Sequence, residues 1–107
     1  APGTARAIDE LGLKGKVFTA GTGMPAANAQ ILKDGSVSTL TLWDPANAGY
    51  AMASLATKIL NGETIEDGVN LGVEGYESMH FSSGSTKVLE GTGWLKITKD
   101  NVDSLGF

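Results

Sequence analysis

A glycine-rich turn between an apolar run and a helical pattern is the feature that most restricts the fold of this 107-residue chain. Residues 17–20 read Val-Phe-Thr-Ala, residues 21–26 read Gly-Thr-Gly-Met-Pro-Ala, and Pro25 suits the first turn of a helix. A β-branched run follows at residues 37–42, and Asp44 comes after it. Strand, turn, helix and strand in this order predict a parallel pair of strands joined by a right-handed crossover.

Apolar residues at helical spacing before and after this strand–helix–strand segment predict two more helices. The first covers residues 4–11, and the longer one begins after Asp44, has Pro45 at its first position and ends before Gly62. Its apolar face is predicted to consist of Ala48, Met52, Leu55 and Ile59. Short strands separated by glycine and serine are predicted at residues 69–73, 77–81, 86–89 and 94–97, and a capped turn at residues 98–102.

Composition narrows the class of protein further. The chain has 41% hydrophobic and 19% charged residues, which is typical of one globular domain. Its net charge of -4 argues against nucleic acid or an anionic membrane surface as partner. With no cysteine, disulfides and thiolate zinc sites are excluded, and no apolar run approaches the roughly 18 residues of a membrane helix.

The glycine turn also matches the pattern G-x-G-x-x-A, and Asp44 lies about 20 residues beyond it, as in dinucleotide-binding folds. Three features oppose that interpretation: Pro25 removes a first-turn N–H, a helix precedes the motif, and Asp44 is explained as a helix cap. In a parallel sheet, ligands bind beside the carboxyl ends of the strands. Residues 21–24 and 43–44 follow two such ends, so both are expected at one edge.

Trp43 is the most informative single residue at this edge. Its flat apolar ring suits the C–H face of a sugar, or alternatively it fills the core beneath the next helix. Trp94 is expected to pack in the core, and His80, the single histidine, is expected to be structural. The sequence offers no nucleophile–base pair and no metal constellation, so it predicts a protein that is not an enzyme and needs no cofactor.

The order of segments resembles one family closely. The series "ELGLKGKV", "AGTGMP", "ILKDGSV", "LWDPANAGYAMASLATKILNGE" and "ITKDNVDSLGF" is similar to the C-terminal lobe of type I periplasmic sugar-binding proteins, which serve ABC importers. The "LWD" together with "APGTARAI" resembles most the group of rhamnose-binding and autoinducer-2-binding proteins. The resemblance covers essentially the whole chain.

This resemblance implies an α/β fold: a three-layer lobe with a parallel sheet flanked by helices, incomplete because its first strand would precede Ala1. Residues 1–107 would form the C-terminal lobe, with residues 86–107 near the hinge. The implied function is capture of a sugar or sugar-like molecule by hinge closure. The implied partners are an N-terminal lobe and an ABC permease. The implied location is the periplasm after removal of a signal peptide, or the surface of a Gram-positive cell through a lipid anchor.

The resemblance also implies which residues contact the ligand. Pro2 and Thr4 match positions that contact it largely through backbone, and Leu42 and Trp43 match an apolar pocket wall. Many sugar receptors place an aspartate where this chain has Thr22 and Gly23, so the charged contacts would come from the other lobe. The predicted ligand-binding set is Pro2, Thr4, Thr22, Gly23, Leu42, Trp43 and Asp44.

Three other functions remain open at this point. The same fold serves as the effector-binding lobe of transcriptional regulators, which an upstream helix-turn-helix segment would reveal. A dinucleotide-binding enzyme fragment and a structural fragment without a ligand are the more distant alternatives.

Overall fold

The computed structural model describes all 107 residues and divides them into two compact units. The first unit combines Ala1–Leu42 with Leu95–Phe107, and the second is the continuous segment Trp43–Trp94. The elements are α1 (Pro2–Glu10), β1 (Ala20–Thr22), α2 (Pro25–Lys33), β2 (Thr39–Trp43), α3 (Pro45–Leu60), β3 (His80–Phe81), β4 (Leu89–Glu90), β5 (Trp94–Ile97) and a short 3-10 helix, Val102–Ser104. None of the helices has the length and apolar character that crossing a bilayer requires.

The sheet of the first unit has the strand order β1-β2-β5. β1 and β2 are parallel, with Ala20 opposite Thr39 and Thr22 opposite Thr41, which confirms the predicted parallel pair. Both helices of this unit pack against the sheet. The shared core contains Ala5 from α1, Leu32 from α2, Leu40 and Leu42 from β2, Ile97 from β5, and Val37 and Val102 from the adjoining segments. The fold is therefore α/β, as predicted.

The strand predicted at residues 17–20 is wrong. β1 begins at Ala20, and Val17 forms only an isolated bridge with Lys14. Val17 and Phe18 are exposed although both are apolar. A strand needs a partner, and the ladder that β2 offers to β1 begins only at Ala20. Residues 17–19 of the apolar run therefore precede β1 and are not part of it.

The helices of the first unit follow the sequence prediction. α1 covers most of the predicted range, and α2 has Pro25 at its first position. α2 ends at Lys33, two residues before Gly35, whose φ of 82° requires glycine. At the chain end, Asn101 Oδ1 accepts a 2.8 Å hydrogen bond from the Thr98 N–H, which confirms the predicted capped turn.

α3 begins and ends where the sequence predicted, but it buries a different face. Ala51 is its buried residue and Leu55 is packed beside the core of the second unit, whereas Met52 and Ile59 are exposed. Apolar residues occur around most of α3, so periodicity could not identify which stripe is buried. The predicted face is therefore only half correct.

The remainder of the second unit is an irregular segment ending in a hairpin. β3 and β4 are antiparallel, with His80 opposite Glu90 and Phe81 opposite Leu89. The strand predicted at residues 69–73 is wrong, since Val69 forms only an isolated antiparallel bridge with Met79. The strands predicted at residues 77–81 and 86–89 are reduced to the two-residue strands β3 and β4. Leu71 and Met79 form the core of this unit with Ala51 of α3.

Candidate functional site

The turn that follows β1 lies beside the start of α1. A Cβ atom built on Gly21 would be 3.6 Å from the Ala1 Cβ. Ala1 is the N-cap residue of α1, so Pro2 at the start of that helix lies near the end of β1. Thr4 and Thr22 are both exposed. The start of α1 therefore lies beside β1 in the first unit, and the contact of Pro2, Thr4 and Thr22 with a ligand stays a prediction.

Gly23 has a structural role in this turn. A Cβ atom at Gly23 would lie 2.9 Å from Asn28 Nδ2, which is closer than real side-chain contacts allow. Asn28 Nδ2 donates a 2.8 Å hydrogen bond to the Met24 carbonyl oxygen, and Asn28 is only 6% exposed. Asn28 Oδ1 is buried without a hydrogen-bond partner. The absence of a side chain at Gly23 leaves room for the Asn28 amide.

Leu42 lies in the core of the first unit and is buried. It directly precedes the second unit in the chain. Its contact with a ligand stays a prediction, because the structure accounts for the Leu42 side chain through packing alone.

In the second unit, two tryptophans form what we term the tryptophan corner, Trp43 and Trp94. Their ring centroids are 5.5 Å apart and their planes make an angle of 80°, so the edge of one indole meets the face of the other. Trp43 is 44% exposed and Trp94 is 58% exposed. Neither ring is a core residue, and the expectation that Trp94 packs in the core is wrong.

The alternation of residues along β5 could have revealed Trp94. Ile97 is buried and Leu95 is half-buried, whereas Trp94 and Lys96 are exposed. Successive side chains of a strand point to opposite faces, so an inward Ile97 places Trp94 outward. The strand predicted at residues 94–97 is confirmed as β5, and its alternation places Trp94 on the exposed face.

Two glycines hold the chain close together just before Trp94. A Cβ atom at Gly93 would lie 2.8 Å from Tyr76 Cζ, and one at Gly75 would lie 2.5 Å from Gly93 Cα. The Thr92 N–H donates a 3.1 Å hydrogen bond to the Gly75 carbonyl oxygen. This close approach fixes the backbone from which Trp94 projects.

Asp44 fixes the backbone that follows Trp43. Its Oδ1 atom accepts hydrogen bonds from the Ala46 N–H at 2.7 Å and the Asn47 N–H at 3.2 Å. These are the free donors at the first turn of α3, so Asp44 is the helix cap that the sequence predicted. Both members of the tryptophan corner therefore adjoin backbone held by specific contacts.

Ser78, His80 and Asp67 form a hydrogen-bonded series that the sequence did not reveal. Ser78 Oγ lies 3.2 Å from His80 Nε2, and His80 Nδ1 lies 3.0 Å from Asp67 Oδ2. Asp67 Oδ1 also accepts a 2.7 Å hydrogen bond from the Phe81 N–H. The pKa of Asp67 is lowered mainly by the hydrogen bond with His80 and, to a smaller extent, by the hydrogen bond from the Phe81 N–H. The His80 and Asp67 side chains are about 60% exposed, so the series anchors the hairpin at the surface.

Comparison with known proteins identifies the family. The profile of the periplasmic binding protein domain matches residues 1–64, which is more than half of the chain. The chain belongs to this family. No match was found among proteins of curated function.

Two solved structures share the fold of this periplasmic binding protein domain. A sugar ABC transporter protein from Actinomyces odontolyticus is 31% identical, with a TM-score of 0.72 over 97% of this chain and 33% of that one. LsrB from Clostridium saccharobutylicum, solved in complex with AI-2, is 24% identical, with a TM-score of 0.63 over 99% of this chain and 36% of that one. The chain thus spans about a third of the length of each relative.

The start of α2 in this periplasmic binding protein domain offers fewer free N–H donors to a dinucleotide phosphate than an ordinary helix start does. Pro25 has no N–H, and the Ala26 N–H donates a 3.2 Å hydrogen bond to the Phe107 carbonyl oxygen. Oδ1 of Asp44, the candidate partner of a ribose hydroxyl, has a structural role as the cap of α3. Gly23 also has a packing role beside Asn28, so the glycine turn has a structural explanation that needs no nucleotide.

The second unit of the domain also contains two apolar cavities, of about 240 and 320 Å³. Leu55 and Leu89 line both, and Met52, Tyr76 and Met79 line the smaller one. No group of three or more His, Asp or Glu side chains is positioned to hold a metal ion.

Proposed function

We propose that this domain belongs to a solute receptor that captures a sugar or sugar-like molecule for an ABC importer. The observation that carries the proposal is the tryptophan corner, two large aromatic rings left partly in water within a member of a solute-binding family. Partly exposed indole rings offer flat apolar surface, and the C–H face of a sugar ring is a suitable partner for such a surface.

In the proposed mechanism, Trp43 stacks on the apolar face of the ligand. Backbone groups near Pro2 and the hydroxyls of Thr4 or Thr22 donate or accept hydrogen bonds with ligand hydroxyls, and hinge closure buries the ligand. Leu42, Gly23 and Asp44 complete the proposed set of contact positions. Many sugar receptors have an aspartate at the position of Thr22 and Gly23, and we assign that charged contact to another lobe of the whole protein.

The same proposal covers the place of this domain in the whole protein. We assign residues 1–107 to the C-terminal lobe, with residues 86–107 near the hinge, an N-terminal lobe and an ABC permease as partners. The location would be the periplasm, reached by a signal peptide, or the outer surface of a Gram-positive cell through a lipid anchor. The similarity to the sugar ABC transporter protein of Actinomyces odontolyticus, at 31% identity, supports the ABC importer as partner.

Calorimetric titration of the whole protein that contains these residues tests the function. A panel of monosaccharides, including L-rhamnose and L-mannose, should contain at least one ligand with a dissociation constant in the micromolar range or below. NAD serves as the comparison compound. Binding of NAD with no response to any sugar would contradict the proposal and favour the dinucleotide alternative.

A further inference from the structure

We propose that the second unit contains a further ligand site, a groove beside α3 that binds the anion of a medium-chain fatty acid. We term it the acyl groove and define it by the two apolar cavities that share Leu55 and Leu89. None of the proposed sugar-contact residues lines either cavity. The inference therefore does not depend on the proposed function.

The acyl groove is long and narrow. Ala48 lines the smaller cavity, Ile59 lines the larger one, and Leu55 between them lines both. From Ala48 to Ile59, at about 1.5 Å per residue, the groove follows α3 for roughly 16 Å. A partner helix about 10 Å across needs more than roughly 400 Å³ for each turn. That exceeds the cavity volumes of about 240 and 320 Å³, whereas a single extended hydrocarbon chain is thin enough to enter.

Small residues of α3 keep the groove open. Ala48 and Ala51 both line the smaller cavity, and each side chain ends at a single methyl group. Ala51, Leu71 and Met79 are almost completely buried, so the floor of the groove is the packed core of the second unit. A hydrocarbon chain would therefore meet an apolar surface that is already formed, and binding does not have to order it.

The outer wall of the acyl groove favours an apolar ligand. Met52 is 69% exposed and Ile59 is 56% exposed, although both line the cavities. A hydrocarbon chain laid along them removes apolar surface of both partners from water, which is the main driving force for such binding.

Lys87 indicates the charge of the ligand head group. It is the only charged residue that lines either cavity, and it takes part in none of the ion pairs of the chain. Lys58, the other lysine of this unit, is already paired with Glu63 at 3.1 Å. Thr86 lines the same cavity as Lys87 and adds a hydroxyl. A carboxylate at this end would accept hydrogen bonds from both side chains while its chain occupies the groove.

Three probes of equal chain length test the inference by calorimetry in the whole protein that contains these residues. Decanoate should bind with a micromolar dissociation constant, decanol more weakly, and decyltrimethylammonium most weakly. Lys87→Gln should weaken decanoate binding about twofold to fivefold, the scale of an exposed ion pair, and leave decanol binding unchanged. Binding of decyltrimethylammonium as tight as that of decanoate, or an unchanged decanoate affinity in Lys87→Gln, overturns the inference.

Two matched pairs of variants locate the site. Ala48→Leu fills the smaller cavity and should weaken decanoate binding at least about tenfold. Its control is Ala53→Leu, because Ala53 is an exposed residue of α3 that lines neither cavity. Ile59→Asp should also weaken binding, whereas Leu60→Asp should not, since both residues are exposed and only Ile59 lines the groove.

Circular dichroism should show that the variants are folded, and the second pair tests the site even if Ala48→Leu does not fold. Equal effects within the pairs overturn the inference. Absence of decanoate binding, as expected if another part of the whole protein or a second copy covers α3, overturns it as well, whether or not the protein binds a sugar.

Discussion

The turn between β1 and α2 depends on a glycine, because Gly23 has no side chain and Asn28 occupies the space beside it. The Asn28 amide occupies the space beside Gly23 and holds the Met24 carbonyl oxygen, so the turn between β1 and α2 depends on both residues. Asn28 lies at the fourth position of α2, where the sequence gives no sign that it packs against the glycine. The sequence predicted the turn from its glycines, but the reason for Gly23 became visible only in three dimensions.

Gly23→Ala should destabilise the protein. The added methyl group must displace the buried Asn28 amide, and overpacking of this kind costs about 1–3 kcal/mol. Urea unfolding followed by circular dichroism measures the change. The matched control is Gly49→Ala in α3, where no atom lies within 4 Å of the new methyl group. That control should stabilise the helix by about 0.5–1 kcal/mol, and equal effects at both positions would argue against the role given to Asn28.

Trp43→Ala in the whole protein should weaken sugar binding at least about tenfold, because the stacking surface is lost. Calorimetry measures the affinity, and Tyr50→Ala removes an exposed aromatic ring of the same unit as a control. Unchanged affinity in Trp43→Ala would remove Trp43 from the ligand site.

The elements that the sequence predicted best are those that local chemistry determines. Asp44 and Pro45 define the start of α3, and the residues concerned are neighbours in the chain. β1 was misplaced because its position depends on pairing with β2, which lies beyond α2 in sequence. The buried face of α3 was only half correct because its partners, Leu71 and Met79, lie far along the chain in a segment with little regular structure.

Asp44→Ala should destabilise α3 by about 1 kcal/mol, since the N–H groups of Ala46 and Asn47 lose their acceptor. Asp44→Asn retains a side-chain oxygen that can cap and should recover most of the loss. Thermal unfolding by circular dichroism compares the three proteins. A melting temperature for Asp44→Asn as low as that of Asp44→Ala would show that capping is not the main contribution.

The hairpin of β3 and β4 should weaken in acid through Asp67. Hydrogen bonds from His80 and then from the Phe81 N–H lower the pKa of Asp67 in the folded state below its ordinary value of 3.8. The unfolded chain therefore binds this proton more readily, so the stabilisation is present above about pH 4 and is lost as the pH falls through the folded-state pKa. Hydrogen exchange of the Phe81 amide between pH 5 and pH 2 measures the local opening, after correction for intrinsic rates.

Asp67→Asn is the comparison for this acid response. It cannot ionise, so the protection of the Phe81 amide should change less with pH than it does in the unsubstituted protein. The same acid response in both proteins would exclude Asp67 as its cause.

At the scale of the whole molecule, the sheet of the first unit has β1 at one edge. An open edge strand can pair with another chain, and Met52, Ile59 and Leu60 of α3 add exposed apolar surface. The 107-residue chain alone should therefore self-associate at micromolar concentration in sedimentation velocity. Ala20→Lys places a charge on the exposed edge strand and should reduce association; a monodisperse monomer before substitution would contradict the prediction.

The second unit is one continuous segment, whereas the first unit is formed from two separate segments of the chain. During synthesis, the second unit can therefore fold before the first. All of the second unit, Trp43–Trp94, becomes available to fold once Trp94 has left the ribosome. The first unit must wait, because its core includes Ile97 and Val102 and its sheet includes β5. A ribosome that stalls when Trp94 has just emerged would thus hold a nascent chain in which Trp43–Trp94 can fold while Ala1–Leu42 still lacks β5.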